Sequence, residues 1–301
     1  MIFNWVILLE KLLTNEDCAY IAGFLDGDGS IFVSCHPNRF KLRVAFASTD
    51  KNVIIFIRDT LILVGESKAV MRRRTKFSKP STRDEYLLDY CGDAAKKISK
   101  CLVAFLVVKK KNAIVARNFP VSDQNYTLPK EDKELQEMLH LKMKMLNQNS
   151  HNIIIVCNDK TLVAEELAWL AGFFDAEGCV SIIKFKRKNG VGYRLKVSVS
   201  NTNRSVLEYI ISKFASGGKI ADHKDLRGNR KENHEFYIYG NSAKDFLKFI
   251  LPYLIVKKEQ AVYALAFPIS ERGSAGRTRL ETIGQKMLHT KMAVLNRTGV
   301  N

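Results

Sequence analysis

The feature that most constrains this chain is an internal repeat. Ala19 to Gly29, AYIAGFLDGDG, returns as AWLAGFFDAEG at Ala168 to Gly178, an offset of 149 residues. The same offset relates Met138, Leu139, His140, Lys142 and Met143 to Met287, Leu288, His289, Lys291 and Met292, and Asn147 to Asn296. Between these anchors, the FLVVKK segment Phe105–Lys110 matches YLIVKK at Tyr253–Lys258 at an offset of 148. Three separated blocks within one residue of the same offset mean tandem duplication, and two copies of 149 residues account for nearly all of the 301. The chain is expected to fold as two copies of one unit, 1–149 and 150–301, with a connecting helix and linker over about 120–160.

Within a unit the pattern is mixed. Asn15–Leu25 carries apolar residues at helical spacing behind a polar start, and the Gly27-Asp28-Gly29 run is expected to end that helix. Ser30–His36 and Arg39–Ser48 alternate as strands around a Pro37-Asn38 turn. Asn52–Val64 is helical again, strands follow near Val70–Phe77 and Glu85–Cys91, and helices near Ala94–Asn118 and Lys130–Asn147. The order α-β-β-α-β-β-α-α is neither a Rossmann unit nor a bundle. It predicts an α+β fold whose antiparallel sheets have one helix-covered face.

Charge narrows the partner. With 48 Lys and Arg against 31 Asp and Glu, the net charge is +17, which points to a polyanion such as nucleic acid. The halves carry +7 and +10, so a continuous basic surface is expected rather than one basic domain beside a neutral one. The six cysteines include no C-x-x-C pair, which suggests neither a zinc site nor a disulfide framework and fits a reducing, intracellular compartment. Apolar runs such as Trp5–Leu9 and Ile153–Cys157 are too short to span a bilayer, so no membrane segment is expected. Acidic residues before the first arginine, Arg39, argue against an organellar transit peptide.

The two copies of the nine-residue motif, IAGFLDGDG at Ile21–Gly29 and LAGFFDAEG at Leu170–Gly178, strongly resemble the LAGLIDADG homing endonucleases in their monomeric, two-repeat form. The resemblance covers essentially the whole chain. It implies two αββαββα units related by a pseudo-two-fold axis, motif helices packed at the seam, and a saddle-shaped pair of sheets on duplex DNA. It further implies a site-specific double-strand DNA endonuclease acting at a long asymmetric target, with no protein partner required. Intron-encoded proteins, commonly of mitochondria, are the setting it suggests.

The residues carry this reading further. Ala19 and Gly23, like Ala168 and Gly172, are small residues four apart on one helical face, which lets two helix backbones approach closely. Packing the helices together would bring Asp28 and Glu177 to one central point. There they repel each other and sit at the negative ends of helix dipoles, a conflict that a divalent cation removes. Oxygen ligands favour a hard ion, expected to be Mg²⁺ with Mn²⁺ or Ca²⁺ substituting for binding. Gly27 and Ala176, next to the acids, are assigned with them to the metal site. The earlier acids, Asp26 and Asp175, are read as structural, since a short acid before such a turn commonly bonds local backbone. By resemblance, Lys109 and Lys257 lie near the scissile phosphates, and the polar residues after strand two, Asp50 and Asn203, help hold solvent.

Strand two alternates in both halves. Phe40, Leu42, Val44 and Phe46 oppose Arg39, Lys41 and Arg43, while Leu195, Val197 and Val199 oppose Arg194, Lys196, Ser198 and Ser200. The polar faces are nominated to enter DNA grooves, with Arg72 and Arg74 from strand three and Ser34 and His36 from strand one. In the second unit, alternation nominates Lys184, Lys186 and Lys188 on strand one. Counting from Gly178 nominates Ser181, Ile183 and Phe185 instead, and the sequence leaves both registers open. Two other functions remain compatible with the resemblance: a maturase that binds intron RNA and assists splicing, and a transcriptional regulator that reads DNA without cutting it. Neither requires both Asp28 and Glu177.

Overall fold

Thr14 begins the first helix, its Oγ1 accepting from Asp17 N at 3.0 Å, and α1 runs over Asn15–Asp28. Nine consecutive residues, Cys18 through Asp26, are buried. A helix covered on every side belongs in a core, and the cover comes from the second motif helix, α6 (Ala164–Glu177), with which α1 packs over its length. The approach is close enough to require glycine. A Cβ on Gly23 would lie 1.9 Å from the Trp169 carbonyl oxygen, and one on Gly172 would lie 2.0 Å from that of Tyr20. Gly29 caps α1, so Gly27 and Asp28 belong to the helix rather than ending it. Asp28 and Glu177 are the last residues of their helices.

The computed structural model describes residues 13–37, 39–64, 69–74, 84–121, 128–148, 161–187, 190–223, 232–269 and 279–298. After α1 come β1 (Gly29–His36), β2 (Arg39–Ser48), α2 (Lys51–Ile62), β3 (Val70–Arg74), β4 (Glu85–Cys91), α3 (Asp93–Leu102), α4 (Lys110–Arg117) and α5 (Lys130–Gln148). After α6 the series repeats as β5 (Gly178–Arg187), β6 (Gly190–Asn201), α7 (Arg204–Phe214), β7 (Lys219–His223), β8 (Asn233–Tyr239), α8 (Gly240–Ile250), α9 (Lys258–Leu265) and α10 (Arg279–Thr298). Two four-stranded antiparallel sheets result, ordered β1-β2-β4-β3 and β5-β6-β8-β7. The expected α+β class and duplicated sheets are therefore present. The 149/150 boundary and residues 75–77 of the expected third strand lie outside the described residues.

One expected helix is two. Instead of running from Ala94 to Asn118, the chain breaks after α3, because the amides of Val107, Val108 and Lys109 turn away to bond Asp26. A backbone whose donors point at a distant carboxylate cannot also use them in a helical ladder. The second unit breaks identically between α8 and α9, with Ile255, Val256 and Lys257 bonding Asp175. The asparagines that marked the repeat also act alike: Asn147 donates to Ile31 O at 3.1 Å and Asn296 to Val180 O at 2.9 Å, each tying a long helix to the first strand of its sheet. No described helix is long and apolar enough to cross a membrane.

Candidate functional site

The site is built at the seam where α1 and α6 end. Asp26 and Asp175 hold it together, though not through local backbone as expected. Each accepts three amides from a loop 80 to 83 residues away, and each also takes a donor from the opposite motif helix. Trp169 Nε1 donates to Asp26 at 2.9 Å, and Tyr20 Oη donates to Asp175 at 2.7 Å. The two acids are buried, and burial pushes the Asp26 carboxyl up while Lys109 and its donors pull it back. A single carboxylate therefore links the motif helix, the loop that carries a lysine, and the partner helix.

Those loops deliver Lys109 and Lys257 to the helix ends. Lys109 Nζ donates to Asp26 O at 2.5 Å and lies 3.4 Å from Gly27 O, while Lys257 Nζ donates to Asp175 O. Each ammonium thus caps carbonyls at the negative end of a helix dipole. Burial pushes both lysines down from the usual amine range; the facing acids, led by Asp26 for Lys109 and by Asp175 for Lys257, oppose it.

Asp28 and Glu177 come together beside these cations. Asp28 opens onto the surface, but the protein around it displaces water and pushes its carboxyl up; Lys257 and then Lys109 counter this, and Glu85 adds to it. Burial, then the charge of Asp28, raises Glu177 to about 7, against Lys109, Lys257 and a hydrogen bond from Asn201. For Asp28 the stronger cation is Lys257, and for Glu177 it is Lys109. The units are thus interleaved electrostatically, each acid answering chiefly to the other unit's lysine. Gly27 and Ala176 face each other between the acids, where a Cβ on Gly27 would meet that of Ala176 at 2.4 Å. A cavity of about 380 Å³ opens beside Asp28, lined in part by Ser48, Asp50, Glu85, Cys179, Lys257 and Gln260.

Asn203 requires correction, while Asp50 keeps its place on the cavity and takes on a second task. Both are helix N-caps: Asp50 Oδ1 accepts from Asn52 N at 2.7 Å and Val53 N at 3.4 Å, and Asn203 Oδ1 accepts from Ser205 N at 3.0 Å. Asp50 still lines the cavity, but Asn203 is only 2% exposed and does not face solvent. A polar residue directly before a helix satisfies orphan amides first. The residue that does reach an acid stands two positions earlier: Asn201 Nδ2 donates to Glu177 Oε1 at 3.0 Å. Its placement at the strand's end, next to a residue already singled out, was the available signal. Among the described residues no group of three or more His, Cys, Asp or Glu is placed to hold a metal ion.

The outer sheet faces collect the nominated DNA-facing residues. In the first sheet, Ser34 and His36 pair with Lys41 and Arg39, while Arg72 and Arg74 lie across from Leu87 and Glu85 on the same face as Arg43. The His36 side chain lies outside the described residues. In the second sheet the two-register question is resolved. Ser181 and Ile183 pair with Lys196 and Arg194, and Phe185 pairs with Gly192, so these three share the basic face. Lys184 and Lys186 pair with Tyr193 and Val191 and point the other way; Lys188 is outside the described residues. The helix-covered side needs Val180 and Ile182, both buried, and this fixes the register.

Two features of this face escaped the sequence. Ser200 sits near its edge as expected, but Ser198 is 5% exposed and bonded to Glu235, so it is covered. Acids and aromatics also share the face: Arg43 pairs with Asp89 at 2.5 Å and Lys196 with Glu235 at 2.6 Å. Arg194 lies over Phe185 at 5.3 Å and Tyr239 at 5.2 Å, and Lys196 over Tyr237 at 5.5 Å. The alternation of buried Phe236 and Ile238 in β8 was the signal for Glu235, Tyr237 and Tyr239.

Comparison with known proteins agrees with this arrangement. The sequence pattern of the LAGLIDADG endonuclease family matches residues 170–265. The DNA endonuclease I-CvuI of Chlorella vulgaris is 31% identical over 105 residues, covering 33% of this chain; the match spans 62% of that relative's length. Among solved structures, the LAGLIDADG homing endonuclease I-GzeII in complex with its DNA target superposes with a TM-score of 0.61 at 14% identity, over 90% of this chain and 96% of that one. I-SmaMI bound to uncleaved DNA in the presence of calcium ions gives 0.60 at 14% identity, over 92% and 98%. With the motif carried twice at one offset and both copies on paired helices, the chain shares the fold of solved LAGLIDADG homing endonucleases and carries the pattern of that family over residues 170–265.

Proposed function

We propose that this chain is a site-specific DNA endonuclease that cuts both strands of a long, asymmetric duplex by a divalent-metal mechanism. The observation that carries the proposal is the convergence of Asp28 and Glu177 at the ends of two packed helices, between two half-buried lysines. The units 1–149 and 150–301 would each supply one acid and one lysine.

The donor set suits a hard cation. Both acids are pushed up from their ordinary values by burial, Glu177 also by the charge of Asp28, so a bound cation relieves a conflict already present. Asp28 and Glu177 would hold it, with Gly27 and Ala176 beside them, and phosphate and water oxygens would complete the set. Mg²⁺ is the proposed ion, with Mn²⁺ or Ca²⁺ supporting binding. When bound, it supplies charge neutralisation at the scissile phosphate and activation of the attacking water.

The protein's own groups do the rest. Lys109 and Lys257 hold their ammonium groups against the helix ends, where each offsets negative charge building on the phosphate of one strand. The basic sheet faces grip the duplex on either side, Arg39, Lys41 and Arg43 on one arm and Arg194 and Lys196 on the other. Unlike residues at equivalent places, such as Arg43 and Lys196, imply a target without two-fold symmetry. We further propose, from the same family resemblance, an intron-encoded protein of a mitochondrion.

The test is incubation of the full chain with a randomised duplex library and Mg²⁺ at low salt, followed by sequencing of the ends. One defined double-strand cut is expected. Intact duplex throughout would overturn the nuclease assignment, and double-strand cutting by Glu177→Gln at the wild-type rate would overturn the shared-acid mechanism.

A further inference from the structure

The two acids are not held alike, and the difference lies in one pair of equivalent residues. At the end of β6, Asn201 does two things: its Oδ1 accepts from Asn203 N at 2.8 Å, and its Nδ2 donates to Glu177 Oε1 at 3.0 Å. At the end of β2, Ser48 makes the corresponding turn bond, its Oγ accepting from Asp50 N at 3.0 Å. The serine hydroxyl stands on a shorter side chain, and although Ser48 lines the cavity beside Asp28, among the described residues it makes no hydrogen bond to that acid. The turn is therefore conserved between the halves, while the bond to the acid belongs to the second half alone.

We propose that Asn201 is a positioning residue: its amide fixes the orientation of Glu177, and Ser48 leaves Asp28 unheld, so the two halves of the acid pair are organised unequally. This rests on the reading of Asp28 and Glu177 as a cation-binding pair. The physical case follows from the groups themselves. A carboxylate at a helix C-terminus has no local donor, since the last turn presents carbonyls rather than amides. Left alone it turns about its side-chain torsions; a donor from a strand end, itself pinned by a backbone bond, holds one orientation. Partners of this kind, hydrogen-bonded to a metal-ligating carboxylate, typically set affinity or activity by about ten- to a hundredfold.

Asn201→Ser is the direct test, because it copies the first unit. It keeps an oxygen to accept from Asn203 N and replaces the amide that reaches Glu177 with a hydroxyl on a shorter side chain, so the thermal midpoint should match wild type. The first measurement needs neither DNA nor turnover: titration of the full chain with Tb³⁺, a hard, oxygen-seeking ion, followed by its sensitised luminescence. Wild type should bind, Asn201→Ser about tenfold more weakly, and Ser48→Ala like wild type. The second follows supercoiled plasmid carrying the selected target. Asn201→Ser should accumulate nicked circle with one strand cut at the wild-type rate, a split that general loss of fold does not produce. Equal Tb³⁺ affinity for Asn201→Ser and wild type would overturn the role of Asn201 while leaving the acid pair standing. A wild-type chain that bound no Tb³⁺ would instead overturn the acid pair itself, and this inference with it. Equal slowing of both strands would also overturn the inequality of the halves.

Discussion

Glu177 shows how position and environment divide the work of one side chain. Its ordinary value of 4.5 is raised to about 7 by burial and by Asp28, so between these pH values the folded chain keeps a proton that the unfolded chain has released. The group's contribution to stability therefore falls as pH rises from about 4.5 to about 7 and is flat beyond. Glu177→Gln removes that ionisation. In the absence of divalent cation it should melt above wild type at pH 8, with the two curves converging near pH 4; a wild type that melted higher at pH 8 would contradict the assignment. Asp26 is also pushed up by burial, but every donor around it needs its oxygens as acceptors. It accepts three amides and the Trp169 indole. Asp26→Asn would turn two of its own N–H groups toward those donors, and a loss of about 2–3 kcal/mol in urea denaturation is expected.

The α1 and α6 pair carries the largest steric demand at the level of elements. Gly23 and Gly172 each face a carbonyl oxygen of the other helix, and backbone cannot move aside as a flexible side chain can. Gly23→Ala is expected to cost about 3 kcal/mol or more, read as a lower urea midpoint. Gly284 in α10 is the contrasting helical glycine, with nothing within 4 Å of an added Cβ. Gly284→Ala should stabilise by up to about 1 kcal/mol through helix propensity alone. The same reasoning explains why α3 and α4 are separate. Hydrophobic periodicity runs through both, but the amides between them answer to Asp26, which stands 81 to 83 residues earlier in the chain.

For the whole molecule, a charge of +17 spread over both halves predicts association governed by counterion release. Affinity for the selected duplex should fall by about a thousandfold between 50 and 200 mM salt, in the range for a protein making six to ten phosphate contacts. Arg194→Ala should lower the slope of log affinity against log salt by about one if Arg194 meets a phosphate. An unchanged slope with altered base preference would place it on a base edge instead. The basic face is not uniformly positive, since Asp89 and Glu235 already pair with Arg43 and Lys196 before any duplex arrives. Binding there exchanges one partner for another.

The sequence by itself determined the duplication, the α-β-β-α-β-β start of each unit, the small-residue faces of the motif helices and the acids at their ends. These are local or periodic properties, and the 149-residue offset carries each from one half to the other. Strand two's inward and outward faces were legible for the same reason. Tertiary structure decided what depends on atoms far apart in the chain. It chose Ser181, Ile183 and Phe185 over the lysines, because the buried side of β5 must meet its helices. It assigned Asp50 and Asn203 to helix caps and brought Asn201 to Glu177. It also set each acid against the other unit's lysine. Periodicity reports which way a side chain points along its own element; which charge or donor it finds there is fixed only when the two halves close on each other.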